Sequence, residues 1–599
     1  MKRKKRPDPR FRSLKKTIFG SNAASPMEEE AVQSPLRTIL RNFRENGVAM
    51  TGLITFLLLF LACFLLPLFF PLDKTYQDVT QQNVAPGFGL MRLPVGMKSG
   101  VRQISAGSTF SVGINEKGEV FVWGRASDRL RDIPKNMGNV VQVSAGLDHI
   151  LALNDQGQLF TWGNSRFSLG SIPPELTGRM DIRQILAGHQ ISMVLTGDGR
   201  LTYWGNDNLI SLRVQEVQGQ VEKVVLNTTT GLALLRDGRV AALTAKSTPF
   251  SVIPEKIQGH TVDLAATDKA AAAVTSDGHV TVWGSGDYGI LEIPAELQGN
   301  TVSLEAGRAH FSALTTDGGV VSWGSSNFHQ NAVPSSLDGK TVTALYVGSY
   351  QNYAVESSGK VTVWGLRGYL MGTDGYGRDV FVRLISGGRL TMTIGAIAVI
   401  LSTLIGIAVG GFSGYYGGKV DMVLMRFAEI VGSIPFLPLA IILSAIVGNR
   451  VSEIGRISII MVILGVLSWP GLSRLVRAQI LSEREKEFVT AAKAIGVREL
   501  AIIFKHILPN VITVIIVNAT LDFATCLLTE SSLSFLGFGV IEPSPTWGNM
   551  LTGSQSSTVI GTYWWRWVFP ALALSLATIS INLIGDGLRD AIDPKSNER

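Results

Sequence analysis

A beat of roughly 40 residues governs the middle of this chain, a period in the range that marks repeat architectures. Trp-Gly recurs at 123–124, 162–163, 204–205, 283–284, 323–324 and 364–365, and the one double step, from 204 to 283, spans a unit that has lost the pair. Near position 243 that unit reads GRVAALTAK. A second marker keeps the same spacing: Leu93-Pro94, Ile133-Pro134, Ile172-Pro173, Ile253-Pro254, Ile293-Pro294 and Val333-Pro334. Ala-Gly at 106–107, 145–146, 187–188 and 306–307 is a third. Within a unit, short alternating apolar runs are broken by Asp198-Gly199, Asp237-Gly238, Asp277-Gly278 and Asp317-Gly318, which are β-hairpin signals. Several short strands per unit, repeated seven times with the fourth unit degenerate, predict an all-β seven-bladed propeller over 93–366. His149, His189 and His310 fall near one repeat position; recurrence at a repeat-defining site favours packing over metal binding, and no metal site is expected.

Apolar runs flank this block. Val48–Phe70 is unbroken, and Leu390–Phe412, Met422–Val447, Ile457–Val476, Ile507–Leu528 and Val568–Ile584 follow it. Each approaches the roughly 20 residues that a helix needs to cross the hydrocarbon core. The expectation is a multi-domain membrane protein, a six-helix transmembrane bundle with the propeller set between spans one and two. Its divisions are a basic segment 1–47, a first span 48–70, connectors 71–92 and 367–389, helices two to six over 390–588, and a tail 589–599.

Charge gives the direction. The segment Arg474 to Lys505 holds seven Lys or Arg, whereas Glu530 to Trp565 holds none. The positive-inside rule then puts both termini in the cytoplasm and the propeller outside it. Nine bases crowd the stretch Met1 to Lys16, a cluster that beside a span sets topology rather than binding nucleic acid. Trp564, Trp565 and Trp567 suit an aromatic belt at the outer interface. Cys63 and Cys526 both lie in apolar runs, so no disulfide framework holds the middle. Among charges at membrane depth, Arg426 and Glu429 are three apart and can pair on one helix. Glu429, Asp522 and Glu530 are candidates for a translocation path, because intramembrane charge is costly to keep.

Between two spans lies a charged amphipathic stretch, Glu487 to Asn510, that cannot cross a bilayer. It resembles the EAA loop of bacterial ABC importer permeases, the short helix that docks on the ATPase. Ala491, Ala492, Gly496, Leu508 and Pro509 match the family pattern in register, while Thr490 replaces its Glu and His506 its Ile. With Glu487 these eight form the candidate coupling set.

Four further stretches resemble the dipeptide, oligopeptide and nickel permeases. They are Gly372-Thr373-Asp374 with Gly377-Arg378-Asp379; Gly414 to Gly418 with Asp421 and Arg426; Glu530 to Leu551; and Asn582 to Pro594, which contains Asp586 and Arg589. Ser34 to Leu53 looks like the opening of that family's C-type subunit. The repeat block is similar to the regulator-of-chromosome-condensation repeat, in a compact form.

The resemblance implies a permease subunit of an ATP-driven importer for peptides or related small solutes, in a bacterial cytoplasmic membrane. It also implies partners: a second permease subunit in a heterodimer, two cytoplasmic ATPases that carry ATP and magnesium, and an extracytoplasmic substrate-binding protein. No catalytic residue and no cofactor are expected in this chain. Its only Gly-Lys-Thr, at 339–341, has Pro334 where a phosphate loop needs Gly. The propeller would dock or bind a partner outside the cell. The alternative is a membrane receptor whose propeller senses an external ligand while the bundle signals without transport.

Overall fold

The computed structural model describes residues 35–206, 213–228, 230–243, 247–447 and 451–592. Positions 1–34, with their basic cluster, and 593–599 lie outside the described residues. The chain divides into two compact units, one formed by residues 1–75 with 382–599 and the other by 76–381.

The second unit is β. Among the described residues it holds seven three-stranded antiparallel sheets, each made from one continuous repeat. In the first repeat the strands are Val101–Ala106, Phe110–Asn115 and Val120–Gly124. The middle strand is buried along its whole length, as Phe110–Asn115 and His149–Asn154 illustrate, so it alternates between two packed faces rather than between core and water. One register shift recurs at the start of each first strand, between Val101 and Gln103 or its equivalents, and accentuates the twist of each sheet.

An apolar seam joins every sheet to the next. Val112 and Ile150 belong to the first seam, and Phe311 and Leu304 to the fifth. The last sheet closes onto the first through Tyr353, Val355, Ile104 and Trp123. Tyr353 Oη bonds Ser111 at 3.0 Å and accepts from Trp123 Nε1 at 3.2 Å, and Ser349 N donates to Gly107 O. The sheets therefore form a closed ring.

Each Trp of the repeat has a structural task. Trp162, Trp204, Trp283 and Trp323 donate from Nε1 to the carbonyls of Leu130, Leu169, Phe250 and Ile290 in the preceding connection. In the fourth repeat Leu243 stands where Trp283 stands one repeat later, with its N donating to Gly231 O opposite it. Leu243 is fully buried and fills the seam with the third repeat beside Leu201, Val214 and Val217.

His149 and His310 open the middle strands of their repeats and are fully buried. Their Nε2 atoms bond Ser192 at 3.0 Å and Asn352 at 2.9 Å in the neighbouring repeats. His189 stands elsewhere, in a loop two residues before its strand. Burial lowers both the His149 and His310 pKa to about 4, so the neutral ring is the folded form. Glu305, on the innermost strand of its repeat, is raised to about 7 by desolvation, which the nearby Lys223 opposes and Asp263 reinforces.

The two kinds of group act oppositely on stability. The histidines remove stability as pH falls from 6.5 towards 4; Glu305 removes it as pH rises from 4.5 to 7. Glu305→Gln should therefore raise the unfolding temperature relative to the parent at pH 8 and lose that advantage by pH 4.5. A pH-independent difference would show that Glu305 ionises as freely in the fold as in the unfolded chain.

The first unit is helical. Among the described residues five helices are long and apolar enough to span: Gly47–Leu68 with its terminal turn, Val380–Tyr416, Glu453–Arg484, Glu499–Phe535 and Trp565–Ile592. The single span expected over Met422–Val447 is instead a pair, Gly418–Ser433 and Phe436–Val447, bent by 82°. Pro435 accounts for the break. It pushes Ile434 into an extended conformation, φ −76° and ψ 127°, and removes an amide from the ladder. Trp565 is buried in the bundle, so of the expected belt only Trp564 is largely open to its surroundings.

Candidate functional site

The stretch expected as one short helix is two, with a hinge between. Helix Glu487–Ala494 ends in a complete Schellman turn: Val497 N bonds Ala492 O at 3.1 Å and Gly496 N bonds Lys493 O at 3.0 Å. Gly496 takes φ +78°, the left-handed position that this turn requires, and no atom lies within 4 Å of a Cβ placed on it. The chain then enters a helix at Glu499 and runs without interruption to Phe535. Pro509 does not stop it. Residues Ile502–Ile507 widen to a π-turn, with Leu508 N bonded to Ile503 O, and the extra residue makes room for the proline ring.

The two faces of this segment differ. Val489, Ala492, Ile502, Ile503 and Ile507 are buried against Tyr415, Leu472, Val476 and Ile480 of the bundle. On the other side Glu487, Thr490 and Ala491 are exposed together, one turn apart, and His506 and Pro509 are exposed further on. Phe488, Ile495, Leu500 and Phe504 are exposed apolar side chains of the same segment, Ile495 at 81%. Leu508 is half-buried.

A second set of contacts braces the segment. Arg477 grips Asp421 through Nε at 2.5 Å and Nη2 at 2.6 Å, and Ser413 also bonds Asp421. Arg484 Nη1 donates to the carbonyls of Gly414 at 3.3 Å and Tyr415 at 3.1 Å. The Gly414–Gly418 turn is thereby tied to the helix that leads into Glu487–Ala494. Neither arginine contact is legible in the sequence, where only the acidic residue and the glycines stand out.

The Gly372–Asp379 motif lies in the β unit, where it clamps the ends of the repeat block. Thr373 Oγ1 donates to Gln81 O at 2.5 Å and accepts from Val84 N at 2.7 Å. Asp374 accepts from Arg378 Nε at 2.7 Å and from the amides of Tyr376 and Arg378. Asp379 Oδ1 accepts from Phe381 N at 2.7 Å, capping the helix that follows. Gly377, at φ +76°, brings the chain so close that a Cβ would stand 1.9 Å from Asp78 O. Together with the paired backbones of Gly87 and Tyr369, these bonds hold 78–90 against 367–378 as the two antiparallel arms of a clamp. Gly372 turns the chain into it.

The polar candidates of the bundle have separate partners. Glu429 pairs with Arg426 at 2.8 Å on an exposed helix face. Asp522 is half-buried. Glu530 is fully buried and accepts from Ser534 Oγ at 2.7 Å and Ser531 Oγ at 3.3 Å on its own helix. Asp586 and Arg589 are exposed near the end of the last helix. One further bond has no sequence signal: the buried guanidinium of Arg383 donates to Glu542 at 2.8 Å.

Residues 402–598 match the model of the binding-protein-dependent transport system inner membrane component. Residues 34–86 match the N-terminal transmembrane domain of oligopeptide transport permease C, and 101–128 and 140–168 match the regulator of chromosome condensation repeat. The oligopeptide transport system permease protein OppC of Haemophilus influenzae is 43% identical over 231 residues, 38% of this chain and 72% of that protein. The dipeptide transport system permease protein DppC of Bacillus subtilis is 39% identical over 224 residues, 37% of this chain and 68% of that one. Among solved structures, the CRINKLY WD40 ectodomain of an Arabidopsis thaliana receptor kinase is 20% identical, with a TM-score of 0.36 over 45% of this chain and 95% of that one. The two transport matches flank the repeats. The chain thus belongs to the binding-protein-dependent peptide permeases of the ABC transporters, and carries a block of condensation-regulator repeats within it.

Proposed function

We propose that this chain is the membrane-spanning subunit of an ATP-driven importer of peptides or related small solutes. The observation that carries this reading is the two-faced coupling segment: one side is built into the bundle, the other presents exposed apolar and polar side chains. Phe488, Ile495 and Leu500 in water would be unfavourable by about 1 kcal/mol or more each, so a partner that covers them is favoured. That partner is a cytoplasmic ATPase, one of two, which binds ATP and magnesium. Glu487, Thr490, Ala491 and His506 contact it, and Gly496 sets the angle between the two halves of the contact.

The bent pair at Pro435 counts as one crossing, giving six spans with both termini in the cytoplasm of a bacterial cell. The ring is a seven-bladed propeller inserted in the first outward loop, where it docks an extracytoplasmic substrate-binding protein or another ligand. A second permease subunit completes a heterodimer. Glu429, Asp522 and Glu530 remain the candidates for the translocation path. Substrate moves by alternating access: closure of the ATPases tilts the coupling segment, and the spans reopen on the other side. No substrate bond is broken by this chain.

Co-purification from native membranes, with crosslinks mapped to residues, tests the reading. The expected result is a second permease, two ATPases crosslinked to 487–507, and an extracytoplasmic protein crosslinked to 93–366. Protease added to intact cells should cleave the ring and spare Met1–Lys16. A complex without any ATPase, or cleavage of the amino terminus from outside, would overturn it.

A further inference from the structure

Glu530 opens the run Glu530-Ser531-Ser532-Leu533-Ser534, which puts an acid and a serine four apart on one helix face. The segment 536–550 that follows folds back over this turn. Trp547 is buried in a notch of helix Val380–Tyr416, where a Cβ on Gly388 would stand 2.5 Å from the indole. Its Nε1 donates to Leu384 O at 2.9 Å. Asn549 closes the segment on itself, with Nδ2 donating to Val540 O at 3.2 Å and to Ser544 O at 2.8 Å.

Glu530 is the hub beneath the segment. Three backbone amides donate to hydroxyls: Val540 N to Ser534 Oγ at 3.1 Å, Trp547 N to Thr391 Oγ1 at 3.2 Å, and Asn549 N to Thr546 Oγ1 at 3.1 Å. Each of these hydroxyls donates in turn to the Glu530 carboxyl, Ser534 at 2.7 Å, and Ser531 adds a fourth bond at 3.3 Å. The acid and all four hydroxyl residues are buried. A carboxyl offers about four lone-pair sites, so these donors fill it and leave none for a solute.

A gate needs contacts that open into water at little cost. Here every broken hydroxyl bond would leave a buried polar group without a partner, and the amide behind it would loosen too. The segment is built to stay where it is.

We propose that Glu530 is a positioning residue that fixes segment 536–550 to helix Val380–Tyr416, so that the two move as one body while solute crosses. The inference rests on the importer reading and parts Glu530 from Glu429 and Asp522: it shapes the path through the segment and touches no substrate.

The test uses the complex purified from native membranes, in lipid vesicles, with tritiated trialanine as the probe. A Cβ on Gly387 would lie 3.4 Å from Pro545 Cβ, close to the separation of about 3.5–4.5 Å in a disulfide. Gly387→Cys with Pro545→Cys, in a chain carrying Cys63→Ala and Cys526→Ala, can therefore be crosslinked by oxidation. Its oxidised and reduced forms should import within twofold of each other. Glu530→Gln sets two N–H donors against a ring of donors, and uptake should fall at least tenfold. Oxidising the cysteine pair in the Glu530→Gln chain should restore uptake to within threefold of the parent, a rescue that a substrate-binding role would not allow. Amide exchange over 536–550 should speed up at least tenfold in Glu530→Gln, a readout independent of transport.

The proposal is overturned if the crosslink stops uptake while Glu530 is intact, if Glu530→Gln imports or exchanges like the parent, or if the crosslink forms in that variant without rescue. Should Glu530→Gln fail to insert, the crosslink beside the intact acid still decides between a fixed segment and a gate. If the parent imports nothing while exchange changes as expected, the importer reading falls and the positioning role of Glu530 stands.

Discussion

Gly496→Val is expected to abolish uptake while leaving normal amounts of protein in the membrane. The position has open space around it, so the effect does not come from a clash. It comes from the backbone: Gly496 sits at φ +78°, and an L-residue there costs about 1–2 kcal/mol, more when β-branched. The Schellman turn that ends helix Glu487–Ala494 would open, and the exposed Phe488 and Ile495 would no longer share one surface with Leu500 and Phe504. The bundle side of the segment, anchored by Ile502, Ile503 and Ile507, stays in place, which is why insertion survives. Uptake in reconstituted vesicles should fall by at least tenfold. Gly496→Asn, which tolerates the left-handed region, should keep most of it. Equal uptake by the Val variant would remove the coupling role from this turn.

Deletion of 93–366, joining Arg92 to Arg367, should leave the helical unit folded and in the membrane. The cut ends are already neighbours, since Leu90 N donates to Arg367 O at 3.2 Å and the backbones of Gly87 and Tyr369 pair. The remaining clamp becomes an ordinary hairpin, still closed by Thr373 on Gln81 and Val84. The helical unit has its own core, with Ile394, Ala398, Ile460 and Leu464 in one cluster and Val476, Ile480 and Ile507 in another. The measurable loss is at the ring: crosslinks to an extracytoplasmic partner should vanish, while detergent-solubilised protein keeps its helical circular dichroism and its thermal transition within a few degrees. Aggregation of the truncated chain would mean that the bundle needs the ring to fold.

The repeat beat is readable because each marker has a fixed physical duty. Trp supplies a donor for the preceding connection, Asp-Gly turns the hairpin, and the apolar runs bury a middle strand on both faces. The degenerate fourth repeat is readable only as a gap; the strand register then puts Leu243 where the tryptophan stands in the other repeats. Prolines mislead in both directions. Pro435 breaks what composition presents as one apolar run, whereas Pro509 is absorbed by a π-turn that no residue pattern announces. The amphipathic stretch Glu487 to Asn510 is legible from charge placed between two apolar runs, but its division at Gly496 requires the φ value. The bonds of Arg477 to Asp421 and Arg383 to Glu542 join residues 56 and 159 apart, a distance at which one sequence carries no pairing signal. His189 looks like its repeat partners, and its separate place in the ring mouth depends on an offset of a few residues.

Among the described residues each sheet of the ring is made from one repeat, and no sheet is assembled from the two ends of the block. Ring size is consequently free to change by whole units during evolution. Duplication or loss of one whole repeat alters the number of seams without orphaning a strand, and the clamp at 78–90 and 367–378 holds the ends together whatever the count. Relatives that share this insertion are expected to differ in their number of repeats by integers, while the residues that flank the clamp keep their spacing to the helices on either side.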